Sequence, residues 1–184
     1  DKKQHIELCR DIAQKFNNEF EIKDLIIDQE PLIQKQFSRI MSLKDGSKKM
    51  SKSELSDLSR INLTDSKDQI INKIKKAKTD PMPMPNGLQE LDERPEAKNL
   101  LGIYASLTNT TLEKSIENFY GKNFSEFKES LSEILVNKIE PISIEIKKLL
   151  ADQKYLDQIL LEGVEKANLI ASKKIQKIKE IVGF

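Results

Sequence analysis

The 184 residues include 38% hydrophobic and 33% charged side chains, no tryptophan, and a formal net charge of +1, which excludes a disordered chain and a global electrostatic attraction for nucleic acid. One cysteine and one histidine exclude an internal disulfide framework and leave zinc sites and nucleophilic triads short of partners, so no metal site is expected. No apolar run approaches the ~18 residues of a membrane span, so a soluble, cytoplasmic protein without a membrane partner is expected.

The chain opens at Asp1 directly in a helical pattern, an abrupt start that suggests a fragment. His5, Cys9, Ile12 and Phe16 fall on one stripe and predict a helix over about Lys3–Asn17, with His5 as a core or hydrogen-bonded histidine. Two short strands are predicted next, at Leu25–Ile27 and from Phe37 to Leu43, separated by Pro31. Ser66 with Gln69 predicts a capping box, followed by an apolar face of Ile70, Ile71, Ile74 and Ala77. Thr79-Asp80 ends this helix, and Pro81, Pro83 and Pro85 with Asn86-Gly87 form a stiff connector that is the best internal boundary. Helices are predicted over Glu96–Leu107 and Thr111–Tyr120, the latter capped by Thr110 with Glu113 and closed by Gly121. Another runs from Ser125 towards Leu150, where Pro141 should kink or split it. The last, about Tyr155–Val182, aligns Leu160, Val164, Ala167, Ala171, Ile175, Ile178 and Val182 opposite Lys166, Lys173 and Lys177. Those lysines are a solvated face or, against nucleic acid, phosphate contacts.

The most informative stretch follows the second predicted strand and an Asp45-Gly46 turn. Lys48-Lys49-Met50-Ser51-Lys52-Ser53 gathers three ammonium groups and two hydroxyls into six residues. Such a loop cannot bury itself, and its charges and hydroxyl donors suit a polyphosphate. A ligand loop beyond the end of a strand is also where open α/β sheets bind.

Lys49 to Ser53 read KMSKS, the signature loop of class I aminoacyl-tRNA synthetases. The neighbours resemble the bacterial-type tryptophan branch of that family. Asp1 to Leu8 look like the helix after its GxDQ motif, with Lys2 where the glutamine usually stands. Ile61, Leu63 and Asp65, then Asn72-Lys73-Ile74, Ala77 and Thr79-Asp80, follow its pattern, and Asn99-Leu100-Leu101 and Val182-Gly183-Phe184 are similar to its helical domain and ending. The HIGH motif would lie upstream of Asp1.

The resemblance implies a mainly α chain with a small α/β part. Residues 1–80 would be the C-terminal piece of a Rossmann-type catalytic domain, and residues 81–184 an all-helical anticodon-binding domain. It implies tryptophan–tRNA ligase activity in the complete protein, with tryptophan, tRNA(Trp) and ATP with Mg2+ as substrates, no tightly bound cofactor, and a homodimer. Lys49 and Lys52 would be catalytic. Asp1, Ile40, Lys49, Met50, Ser51, Lys52 and Ser53 would bind ATP: Asp1 near the ribose, the backbone around Ile40 at adenine, Ser51 and Ser53 as phosphate donors. Lys48 would only raise the local potential, and the side chain of Ile40 could equally be core. In the helical part Tyr104, Phe119 and Tyr120 are stacking candidates or core residues. The alternative is a non-enzymatic, synthetase-derived helical tRNA-binding module; a purely structural helical protein would leave the lysine loop unexplained.

Overall fold

The computed structural model describes residues 3–23, 25–32 and 39–184. Asp1, Lys2, and the start of the second predicted strand at Phe37 and Ser38 lie outside the described residues. Six α-helices form: α1 Lys3–Glu19, α2 Lys67–Lys75, α3 Pro95–Thr108, α4 Leu112–Phe119, α5 Phe124–Ala151 and α6 Gln153–Val182, with 3-10 turns at Asp57–Ser59 and Leu88–Asp92. The expectation of a mainly helical chain is met. Among the described residues, however, neither predicted strand forms a ladder; an isolated antiparallel bridge joins Met41 to Lys49.

The chain divides into two compact units, Asp1–Lys35 with Asp152–Phe184, and Gln36–Ala151. In the first, α1 is turned slightly from its predicted stripe. Ala13 is buried and Ile6, Arg10, Phe16 and Asn17 are half-buried, whereas His5, Cys9 and Ile12 are exposed. His5 is therefore not a core histidine. The cause is polar: the guanidinium of Arg10 donates twice to the carbonyl of Gln29, at 3.0 and 2.7 Å, and the Gln14 amide donates to Asp28 at 2.7 Å. Asn17 explains the missing strand at Leu25–Ile27. Its side chain accepts from the Ile26 N–H at 3.2 Å and donates to the Ile26 carbonyl at 2.7 Å, satisfying both backbone groups without a neighbouring strand. Leu25 is buried and its carbonyl accepts from Lys174 of α6. Helix α6 starts at Asp152, whose carboxylate accepts from the Tyr155 N–H at 3.0 Å, and ends at Gly183 in the left-handed region, φ 88°. Its apolar stripe stays on the surface: Leu160, Val164 and Ile175 are exposed and Ile178 half-buried.

The second unit holds the main core, where Leu43, Ile70, Ile74, Met84, Leu91, Leu100, Leu101, Phe127 and Leu131 are fully or almost fully buried. Burying a side chain of this size contributes roughly 1.5–3 kcal/mol. Helix α2 begins at the predicted capping box, with Ser66 and Gln69 bonding each other's backbone N–H, and packs against α5, while α3 packs against α4 and α5. Ile71 of its predicted face is exposed. The cap of α4 is Thr111, not Thr110; its hydroxyl accepts from the Lys114 N–H at 3.3 Å, while Thr110 bonds Thr108. Helix α5 continues through Pro141 without splitting. Both Pro141 and Asn137, whose carbonyl loses its partner, are exposed, so the ring meets solvent and water can take the carbonyl. Phe119 and the half-buried Tyr104 join Phe127 in an aromatic cluster, with centroids 4.9–6.0 Å apart. Tyr120 is exposed.

Candidate active site

The lysine loop hangs from a segment, Ile40–Leu43, that is extended but finds its partners in four different places. The Ile40 carbonyl accepts from Met50 N–H at 3.0 Å, and Ser42 N–H donates to the Lys48 carbonyl at 2.8 Å. Leu43 N–H donates to Ser59, and its carbonyl accepts from Lys78 N–H, at 2.9 and 2.8 Å. Both groups of Met41 bond the side chain of Asn99 on α3. With its hydrogen bonds dispersed in this way, the segment has no single strand to pair with.

The loop has an anchored base and an exposed tip. At the base, Asp45 accepts from the Ser47 hydroxyl at 2.6 Å and the Ser47 N–H at 3.0 Å, and pairs with Lys48 at 3.4 Å. Those Ser47 bonds, and secondarily Lys48, hold the Asp45 carboxyl below the usual carboxylate range. Gly46 is buried; a Cβ there would lie 2.5 Å from the Pro95 carbonyl carbon and 2.6 Å from the Glu96 nitrogen at the start of α3. Met50 is half-buried against the core. At the tip, Lys49, Ser51, Lys52 and Ser53 are all exposed, and Lys52 forms no ion pair among the described residues. Ser51 and Ser53 share a hydroxyl–hydroxyl bond of 2.8 Å, and Ser53 N–H also donates to Ser51 Oγ at 3.3 Å. Two mutually bonded hydroxyls and two lysines, all exposed, therefore share one stretch of five residues, a grouping that suits phosphate oxygens. A hollow of about 140 Å³ beneath them is lined by Ser42, Asp45, Lys48, Lys49, Ser51 and Glu54, among others.

Ile40 is exposed by 42%, so its side chain is not a core strand residue. Beside it a second hollow, of about 320 Å³, is lined by Ile40, Met41, Gly46, Pro95, Asn99 and Ile103, among others. The structure thus brings Ile40, Lys49, Met50, Ser51, Lys52 and Ser53 together around one loop, while Asp1 lies outside the described residues.

Two buried charge clusters hold the surroundings. Lys73 of α2, 3% exposed, bonds Asp65 at 2.6 Å and Asp57 at 2.7 Å; hydrogen bonds from Lys73 first, then Asn62, keep the Asp57 carboxyl low. Arg94, at the start of α3, donates to both carboxylate oxygens of Asp80 at 2.9 and 2.8 Å and to the Pro83 carbonyl at 2.8 Å. Its guanidinium also lies over the Phe124 ring.

A profile of the family described as tRNA synthetases class I (W and Y) matches residues 1–140. The chain belongs to this family. It is 48% identical over 184 residues to the tryptophan–tRNA ligase of Caulobacter vibrioides, covering all of this chain and 54% of that protein. Its identity to the tryptophan–tRNA ligase of Brucella melitensis is 44% over 202 residues, covering 57% of the relative. Among solved structures, tryptophanyl-tRNA synthetase from Mycoplasma pneumoniae superposes with a TM-score of 0.81 at 27% identity, over 100% of this chain and 54% of that one. The Campylobacter jejuni tryptophanyl-tRNA synthetase complexed with ADP and tryptophan gives 0.67 at 25% identity, over 100% and 55%. The chain thus spans about half the length of the curated relatives it matches. Within this synthetase chain, the sequence located the signature loop and the Asp45-Gly46 turn before it but missed the supports from α3, Glu96 and Asn99. Asn99 was legible only as part of a family-like stretch, since its partner Met41 lies 58 positions away.

Proposed function

We propose that this chain is the part of a tryptophan–tRNA ligase that carries the signature loop, and that the complete, cytoplasmic, homodimeric protein activates tryptophan with ATP. Residues 1–80 belong to its catalytic domain and 81–184 to its anticodon-binding domain, with the HIGH motif supplied by the rest of the protein. In the reaction a carboxylate oxygen of tryptophan attacks the α-phosphorus of Mg2+-ATP. A bond forms there as the bond to the bridging oxygen breaks, leaving tryptophanyl-adenylate and pyrophosphate; the tryptophanyl group then passes to the end of tRNA(Trp).

Negative charge grows on the departing pyrophosphate, so cations that meet it there lower the barrier more than they tighten ATP binding. Lys49 and Lys52 take that role, Ser51 and Ser53 donate to phosphate oxygens, and the backbone of Ile40 and Met50 lies along adenine, with Asp1 at the ribose. Lys48, tied to Asp45, raises the potential only. Closure of the loop excludes water from the adenylate. The observation that carries this reading is the exposed cluster of Lys49, Ser51, Lys52 and Ser53 on an anchored base. Lys52→Ala in the complete enzyme is expected to slow tryptophan-dependent ATP–pyrophosphate exchange by about 10²–10³-fold with tryptophan binding little changed. Unchanged exchange would overturn the proposal.

A further inference from the structure

We propose that Asn99 is a positioning residue for ATP: from α3, outside the signature loop, it sets the backbone register on which that loop is hung. The inference rests on the reading above. The Asn99 Oδ1 accepts from the Met41 N–H at 2.8 Å and its Nδ2 donates to the Met41 carbonyl at 2.9 Å. A side-chain amide thus takes the place of the peptide group that a neighbouring strand would offer. Met41 in turn bridges Lys49, and Ile40, next to it, accepts from Met50 N–H. Asn99 therefore bonds the two peptide groups whose other ends, the Ile40 carbonyl and the Ser42 N–H, pair with Met50 and Lys48 on either side of Lys49. Asn99 is 9% exposed, and water cannot readily replace both bonds there.

The same stretch of α3 supplies the rest of the seat. Gly46 sits against the backbone of Pro95 and Glu96 with no room for a methyl group, and Glu96 pairs with Lys78 at 2.8 Å, whose N–H bonds Leu43. Those contacts fix where the turn lies; the Asn99 amide holds one side of the two peptide groups flanking Met41, whose other sides bond Met50 and Lys48 of the loop. Because Asn99 spends its amide on Met41, it acts through the loop rather than on the substrate.

The test uses the complete enzyme and compares substrates. Asn99→Ala removes both bonds; Asn99→Asp keeps the shape and the acceptor but opposes a carboxylate to the Met41 carbonyl. Both are expected to raise KM for ATP about tenfold in pyrophosphate exchange while KM for tryptophan stays within about twofold. Asn99→Asp decides the question if Asn99→Ala does not fold. Unchanged values for ATP, or equal rises for both substrates, would overturn the inference. Lys52→Ala is run alongside. A loss of exchange in Lys52→Ala with unaltered KM for ATP in the Asn99 variants sinks this inference alone; full exchange in Lys52→Ala sinks the functional reading.

Discussion

Two asparagines do the same job in the two units, with different surroundings. Asn17 of α1 clasps the N–H and carbonyl of Ile26, nine positions on; Asn99 of α3 clasps those of Met41, 58 positions back. Each replaces the strand that the local sequence predicts. The Asn17 clasp is half-buried, lies beside exposed Ile27, and joins a helix to the segment that follows it. The Asn99 clasp is buried and stands on a chain of further contacts: Leu43 to Ser59, then the Asp57–Ser59 turn to Lys73. The same hydrogen-bonding device closes a local turn in one place and supports a charged loop in the other. What separates them is the buried structure underneath.

The strongest way to break that contrast is to remove the structure beneath the second clasp. Lys73→Met leaves the buried Asp65 carboxylate without its cation and is expected to cost roughly 3–5 kcal/mol in urea unfolding. Asp65→Asn in the same chain should recover part of the loss. A cost under about 1 kcal/mol would mean that the buried charges are not the foundation. By contrast, Asn17→Ala should cost less than about 1 kcal/mol, because water reaches the groups it frees. A loss as large as that of Lys73→Met would erase the distinction between the two regions.

The smallest effect is pH-dependent. Hydrogen bonding from Lys78, helped by the Gly46 N–H, holds the Glu96 carboxyl below its ordinary 4.5. A carboxyl lowered on folding adds stability that is fully present above its unfolded value and is lost as pH falls through its lower folded value. Glu96→Gln should therefore lower the urea midpoint at pH 7, with the gap from the parent chain closing below about pH 4.5. Some acid sensitivity should remain in the variant, since Asp45 and Asp57 are shifted in the same direction. A gap that does not narrow at all as pH falls below about 4.5 would assign the effect to shape rather than charge.

The features legible in the sequence were the local ones. Ser66 and Gln69 bond as their spacing suggests, Gly121 adopts positive φ after its helix, and the lysine loop is exposed as its charge requires. The errors have a common cause: side chains from elsewhere override local preference. The stripe of α1 shifted because Asn17 bonds the run that composition alone marks as a strand and Arg10 bonds Gln29 just beyond it. The run from Ile40 to Leu43 has strand-like residues, yet its partners come from the lysine loop, the Asp57–Ser59 turn, the end of α2 and one asparagine. Cap position also depends on detail that spacing cannot resolve, since Thr110 and Thr111 are equally suited and only backbone geometry selects the second. For α6, periodicity showed a stripe but not what covers it.

The Asn99 clasp touches Met41 only through the backbone, and every residue except proline offers the same N–H and carbonyl. Substitution is therefore constrained unequally across one contact. Position 41 can drift among many side chains without disturbing the pairing, whereas position 99 needs a short side chain with a donor and an acceptor side by side. A mutational scan would register a tolerant loop and an intolerant helix, although the two residues form a single bond pair.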